Sequence, residues 1–122
     1  MAQVTVSRNK FCVVVEIATP SLMDTFELDA LGADLERLVD EQDCRRLLLD
    51  FGKVQYISSQ AIGLLAKLHK KTAALKGGLL VLCNLSPRLL ELLKIVRFDK
   101  LIPIKGSQED ALNYFERMKA LV

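Results

Sequence analysis

Two runs, Leu47-Leu48-Leu49 and Leu79 to Cys83, are apolar at every position and lie between segments with helical periodicity. A strand with one wet face alternates apolar and polar residues, so an uninterrupted apolar run fits a strand buried on both faces. The flanking segments repeat on a different period. Leu28, Leu31, Leu35, Leu38 and Val39 recur at spacings of three and four, as do Ala61, Leu64, Leu65, Leu68, Thr72 and Leu75. Strands that alternate with amphipathic helices are joined by crossovers, which makes the sheet mostly parallel.

The rest of the chain fits the same frame. Gln3 to Ser7 alternates with Val4 and Val6 on one face, and Phe11 to Ile17 is a longer apolar run. A turn at Arg8-Asn9-Lys10 would join them as an antiparallel pair, with the first strand at the sheet edge. Ala18 to Ser21 reads as a loop. Asp24, with Glu27 three residues on, resembles a capping box, and that helix ends in the polar stretch Asp40 to Asp43. A strand is expected over Arg45 to Phe51 and a loop over Gly52 to Ser59. A helix then runs from about Gln60 to Lys76, where Gly77-Gly78 stops it. Ser86-Pro87 supplies a cap and a first-turn proline for a helix reaching about Arg97. Leu101 to Ile104 reads as the last strand. Ser107 and Asp110 open a final helix with Leu112, Phe115, Met118 and Val122 on its apolar side. The expected architecture is α/β: a mostly parallel central sheet, an antiparallel N-terminal edge strand and about four helices, in one domain over residues 1–122.

Charge and rare residues narrow the function. Lys plus Arg is 17 and Asp plus Glu is 15, a formal net charge of +2, so no strong pull toward nucleic acid is expected. Lys67, Lys70, Lys71 and Lys76 read as the wet face of a helix. His69 is the single histidine, which excludes any site needing two. It is expected on a partly exposed helix surface, with no partner placed for a dyad. The three cysteines, Cys12, Cys44 and Cys83, include no C-x-x-C pair and suit a reducing cytoplasm. Residues 1–10 lack the apolar core of a signal peptide, and the apolar runs are too short for direct membrane insertion. No metal or cofactor is expected, and no phosphate-binding glycine loop occurs.

Two segments deserve weighing as sites. Cys83-Asn84-Leu85-Ser86-Pro87-Arg88 places a thiol at a strand end and an arginine at a helix start, as a sulfur or phosphate transferase would. That loop has no glycine for tight curvature, and Pro87 removes a donor. Tyr56-Ile57-Ser58-Ser59-Gln60-Ala61-Ile62-Gly63 carries two hydroxyls at a strand-to-helix junction. One serine can cap the helix; the second is surplus. A phosphate there would meet free N–H groups and add about −1.5 to −2 charges to a binding surface.

That second segment resembles the signature of STAS domains of the anti-sigma factor antagonist type: an apolar pair, then Asp-Ser-Ser/Thr-Gly-Leu-Gly. Leu48-Leu49-Asp50-Phe51 resembles the family's central strand. Gly77 through Pro87 resembles the strand and Ser-Pro helix start that follow, and Phe98 to Ile104 the final strand. Asp24 falls where the family has an aspartate after its second strand. The resemblance implies a non-enzymatic regulatory module without cofactors, whose partner is an anti-sigma factor that is also a serine kinase, with a phosphatase resetting the switch. By motif position Ser59 is the phosphoacceptor, expected also to cap the helix, and Ser58 is a substitute acceptor. The implied partner-binding residues are Asp24, Tyr56, Ile57, Ser58, Ser59, Gln60, Ala61 and Ile62. The sequence departs from the signature at Ser58 for the aspartate, Gln60 for the second hydroxyl and Ala61 for the first glycine.

Leu89, Leu90, Leu92, Leu93, Ile95 and Val96 exceed one helical face, so that helix is either deeply buried or offers an apolar patch. The alternatives to a phosphorylation switch are a constitutive scaffold subunit of a multi-STAS or membrane-associated complex, with weak homo-oligomerisation, and the Cys83–Arg88 transferase.

Overall fold

A computed structural model describes residues 4–9, 11–41 and 45–119, without the side chains of residues 41 and 119. Gln3, Lys10, Asp43, Cys44 and Val122 lie outside the described residues. The strands are β1 (Val4–Arg8), β2 (Val13–Ile17), β3 (Ser21–Leu22), β4 (Arg46–Asp50), β5 (Tyr56–Ile57), β6 (Leu79–Cys83) and β7 (Ile104–Lys105). The helices are α1 (Thr25–Glu41), α2 (Ser59–Ala73), α3 (Pro87–Ile95) and α4 (Gln108–Lys119), with a single 3-10 turn at Phe98–Lys100.

The main sheet has the order β1-β2-β4-β6-β7. β1 pairs antiparallel with β2, matching Val6 to Val15; every other pairing is parallel. The apolar runs form its centre. Leu47 and Leu49 enter one core with Val13, Val15, Ile17 and residues of α1, α2 and α3. Leu48, pointing the other way, enters a second core with Val14, Val81, Cys83 and the α4 residues Ala111 and Phe115. An uninterrupted apolar run is therefore required because both faces are covered.

Three expectations are corrected. The last strand is Ile104–Lys105, not Leu101–Ile104. Ile102 is instead a buried core residue beside the 3-10 turn, and the Pro103 carbonyl accepts from the Leu82 N–H at 3.0 Å. Ser21, read as the end of one loop, and Tyr56 and Ile57, read within another, are strand residues: Ser21–Leu22 pairs parallel with Tyr56–Ile57 in a second, two-stranded sheet. The helix after Ser86 ends at Ile95 and answers the burial question both ways. Leu89 and Leu93 are buried, while Ile95 is 72% exposed, and Val96 and Leu101 are exposed as well. No helix among the described residues is long and apolar enough to cross a membrane.

Candidate functional site

The small β3–β5 sheet determines what lies beside the two serines. The Pro20 carbonyl accepts from the N–H groups of Gln55 (2.7 Å) and Tyr56 (3.2 Å). Ser21 then pairs with Tyr56 and Leu22 with Ile57. The Ser58 N–H donates to the Leu22 carbonyl at 3.1 Å, which brings Met23 and Asp24 alongside Ser58 and Ser59. Two helices start from this point.

The caps are polar and distinct. Asp24 Oδ1 accepts from the Glu27 N–H at 3.0 Å at the start of α1. Ser58 Oγ accepts from the Ala61 N–H at 3.2 Å at the start of α2, with extended backbone angles of φ −100° and ψ 170°. The expectation that Ser59 caps the helix is corrected: Ser58 is the cap, and Ser59 is the first helical residue, exposed to solvent. Only the residue with extended backbone angles can turn its side chain back onto the free N–H groups. Ser58→Ala is expected to lower stability by about 1 kcal/mol, and Ser59→Ala by less than about 0.5 kcal/mol. Urea unfolding of the two variants checks this, and equal losses would overturn the assignment of the cap.

From their adjacent starts α1 and α2 run parallel, joined by polar pairs in constant register. Gln60 Nε2 donates to Asp29 Oδ1 at 3.0 Å, and the ammonium groups of Lys67 and Lys71 lie 2.8 Å from Glu36 Oε1 and Asp40 Oδ2. The hydrogen bond that Lys71 Nζ donates to Asp40 Oδ2 raises the Lys71 pKa. These pairs give the Lys67–Lys76 face a partly structural role.

The structure brings together Asp24, Tyr56, Ile57, Ser58, Ser59 and Gln60. Asp24, Tyr56, Ser59 and Gln60 are exposed. Ile57 and Ile62 are half-buried against the main core, and Ala61 is buried. Sequence reasoning missed Met23 and Phe26. Both are exposed in this neighbourhood, and Phe26 reaches 87% in the first turn of α1. Phe26 is out of phase with the stripe that begins at Leu28, and that offset was the available signal.

The cysteine loop forms no anion site. Cys83 is fully buried, and burial, aided by the Asp50 carboxylate, pushes its thiol up to about 12. A thiolate nucleophile is thus unavailable at neutral pH. Ser86 Oγ accepts from the Leu89 N–H at 3.2 Å, so this serine serves α3 as its cap. Asn84 makes the turn for which no glycine was present, in the left-handed region at φ 59°. Arg88 does not close on Cys83; its guanidinium lies over the Tyr56 ring, 5.6 Å from the centroid. His69 is half-buried on α2. Among the described residues no group of three His, Cys, Asp or Glu side chains is placed to hold a metal ion.

Fold and junction together match a known family. The STAS domain model fits residues 3–111. The chain belongs to the STAS domain family. It is 32% identical over 95 residues to a Bordetella bronchiseptica protein described as "Putative anti-sigma factor antagonist BtrV", a match covering 78% of this chain and 80% of that one. An anti-sigma-factor antagonist (STAS) domain protein from Planctomyces limnophilus superposes with a TM-score of 0.82 at 22% identity, over 94% of this chain and 98% of the other. The Bacillus cell fate determinant SpoIIAA in its phosphorylated form superposes with a TM-score of 0.72 at 15% identity, over 92% and 98% of the two chains. This STAS domain is thus of the anti-sigma factor antagonist type.

Proposed function

We propose that this STAS domain is a cytoplasmic regulator switched by phosphorylation of Ser59, acting by contact with an anti-sigma factor that is also its kinase. The observation that carries the reading is the division of labour between the two serines. Ser58 Oγ is committed to the α2 cap, while the Ser59 hydroxyl stands exposed one residue further on. In the reaction, Ser59 Oγ bonds to the γ-phosphorus of ATP, ADP departs, and the hydroxyl proton leaves to a base on the kinase. The product carries about −1.5 to −2 new charges on a chain whose formal net charge is +2. They fall within a surface that includes exposed Met23, Phe26 and Tyr56. A partner packed over that surface would have to desolvate the phosphate, which costs several kcal/mol when left unpaired. Release follows without any movement of the fold.

Ser58 in place of the signature aspartate fits this reading. Serine and aspartate cap helices about equally well, so the exchange keeps the local structure and removes one negative charge beside the acceptor. The test is to incubate the protein with ATP and the anti-sigma kinase encoded in the same genome, then locate phosphate by mass spectrometry. Phosphate on Ser59, lost in Ser59→Ala, is the expected result. Phosphate on neither serine would remove the switch and leave the constitutive scaffold reading; phosphate on Ser58 alone would move the acceptor.

A further inference from the structure

We propose that Arg88 is the phosphate-receiving residue of the switch: on modification of the Ser58–Ser59 junction its guanidinium leaves the Tyr56 ring and pairs with the phosphate. The inference rests on the phosphorylation reading and adds a second element, α3, to a site otherwise built from α1, α2 and the small sheet.

Three observations carry it. The first is position. Arg88 lies over Tyr56, and Tyr56 is two residues before Ser58 in extended chain and three before Ser59, the first residue of α2. Alternation puts the side chains of residues 56 and 58 on one side of the strand, about 6.6 Å apart along it. Ile57 between them points into the core. The second is availability. Arg88 is exposed, and among the described residues it forms no ion pair. The Asp24 carboxylate, across the small sheet, is hydrogen-bonded to the backbone of α1. The third is that helix stability does not account for the cation. Arg88 is the second residue of α3, where the positive end of the helix dipole disfavours it. A phosphate supplies the missing anion, and the planar guanidinium fork matches two of its oxygens.

The consequence is a rearrangement of the surface by one side chain. Unmodified, the site shows a free cation stacked on an aromatic ring. Modified, it shows a neutralised arginine and an uncovered Tyr56 ring. Partner release then reflects loss of an accessible cation as well as gain of negative charge.

The test uses full chains with phosphoserine installed at position 59 or 58 by codon reassignment, so it does not depend on any kinase accepting the protein. In the unmodified chain, the Arg88 side-chain protons are expected to show an upfield ring-current shift that disappears in Tyr56→Leu. In the phosphorylated chain that shift should be lost, and the Arg88 Nε–H resonance should move downfield. Removal of the phosphate by a non-specific phosphatase should be about threefold faster in Arg88→Gln, with Arg88→Lys between the two; matching unfolding curves for the unmodified variants show that the fold is retained. Arg88 resonances unmoved by phosphate at either serine, with equal removal rates, would overturn the proposal. That result would leave Ser59 free to be a kinase substrate, which the mass spectrometry above decides separately.

Discussion

Gly78→Ala is expected to cost about 3 kcal/mol or more and to lower the melting temperature by about 10 °C. A Cβ built on Gly78 would lie 1.8 Å from the Thr72 carbonyl oxygen and 2.8 Å from its carbon. Both obstacles are backbone, so no rotamer change relieves the overlap. The backbone has little freedom to yield. The Gly78 N–H donates to the Leu75 carbonyl at 2.9 Å, and the next residue donates to the Arg45 carbonyl at 2.7 Å as β6 begins. β6 is an interior strand, held between β4 and β7. The substitution must displace either the end of α2 or the start of that strand. Gly63→Ala is the control of opposite sign. It sits inside α2, and an added Cβ meets nothing within 4 Å. Replacing glycine in an open helix interior is expected to stabilise by about 0.5–1 kcal/mol. Thermal and urea unfolding of the two variants measures both. A loss below about 1 kcal/mol for Gly78→Ala would mean that the turn relaxes and that the crowding argument is wrong.

The same turn shows why some of the architecture is legible in sequence. Gly77-Gly78 marks the turn between a long amphipathic helix and an apolar run, and the structure puts α2, ending at Ala73, the turn and β6 in that order. Such signals are local and repeated over many residues, so one misleading position does not erase them. The elements that sequence reasoning missed are short and made by distant partners. β3 and β5 have two residues each, and the Pro20 carbonyl that starts them pairs with Gln55 and Tyr56. Pro and Ser are turn formers by local chemistry, so nothing near residue 20 announces a strand. The misplaced last strand has a similar cause. Leu101 and Ile102 are apolar as a strand would be, but the 3-10 turn delays the chain, and Leu101 stays exposed. At the site, two adjacent serines offer the same cap chemistry, and only backbone geometry assigns it to Ser58.

Asp50→Ala is expected to cost about 3 kcal/mol, through hydrogen bonds rather than lost apolar area. Asp50 ends β4 and is only 9% exposed. Its Oδ1 accepts from the Gly52 N–H at 2.8 Å and from Asn84 Nδ2 at 3.2 Å. Its Oδ2 accepts from Asn84 Nδ2 at 3.1 Å and from Gln108 Nε2 at 2.6 Å. Gln108 also reaches Glu16 Oε1 at 3.2 Å. One carboxylate therefore ties together the ends of β4 and β6 and the start of α4, from positions 34 and 58 residues apart in sequence. Alanine takes this acceptor from the Gly52 N–H and the Asn84 amide and leaves Gln108 with Glu16 alone, and partly buried donors without acceptors are expensive. Asp50→Asn keeps the shape and one acceptor oxygen but turns an NH2 group toward other donors, so a loss of about 1–2 kcal/mol is expected. Asn84→Ala should cost a similar amount, because it removes the amide and places alanine at φ 59°. The double variant Asp50→Ala/Asn84→Ala distinguishes a network from separate contacts. Its loss should fall short of the sum of the single losses by about 1 kcal/mol, and strict additivity in urea unfolding would refute the network. The effect should reach the Ser58–Ser59 junction as well. Asp50 anchors the segment that runs through Gly52 to Ser58, whose far end is clamped by the Pro20 and Leu22 carbonyls. Freeing the near end leaves those clamps to hold the serines alone. Amide exchange in Asp50→Ala should therefore rise at Gly52 to Gln55 more than at Ser58 to Ala61. Equal increases across both segments would show that the small sheet does not hold Ser58 and Ser59 independently of the main one.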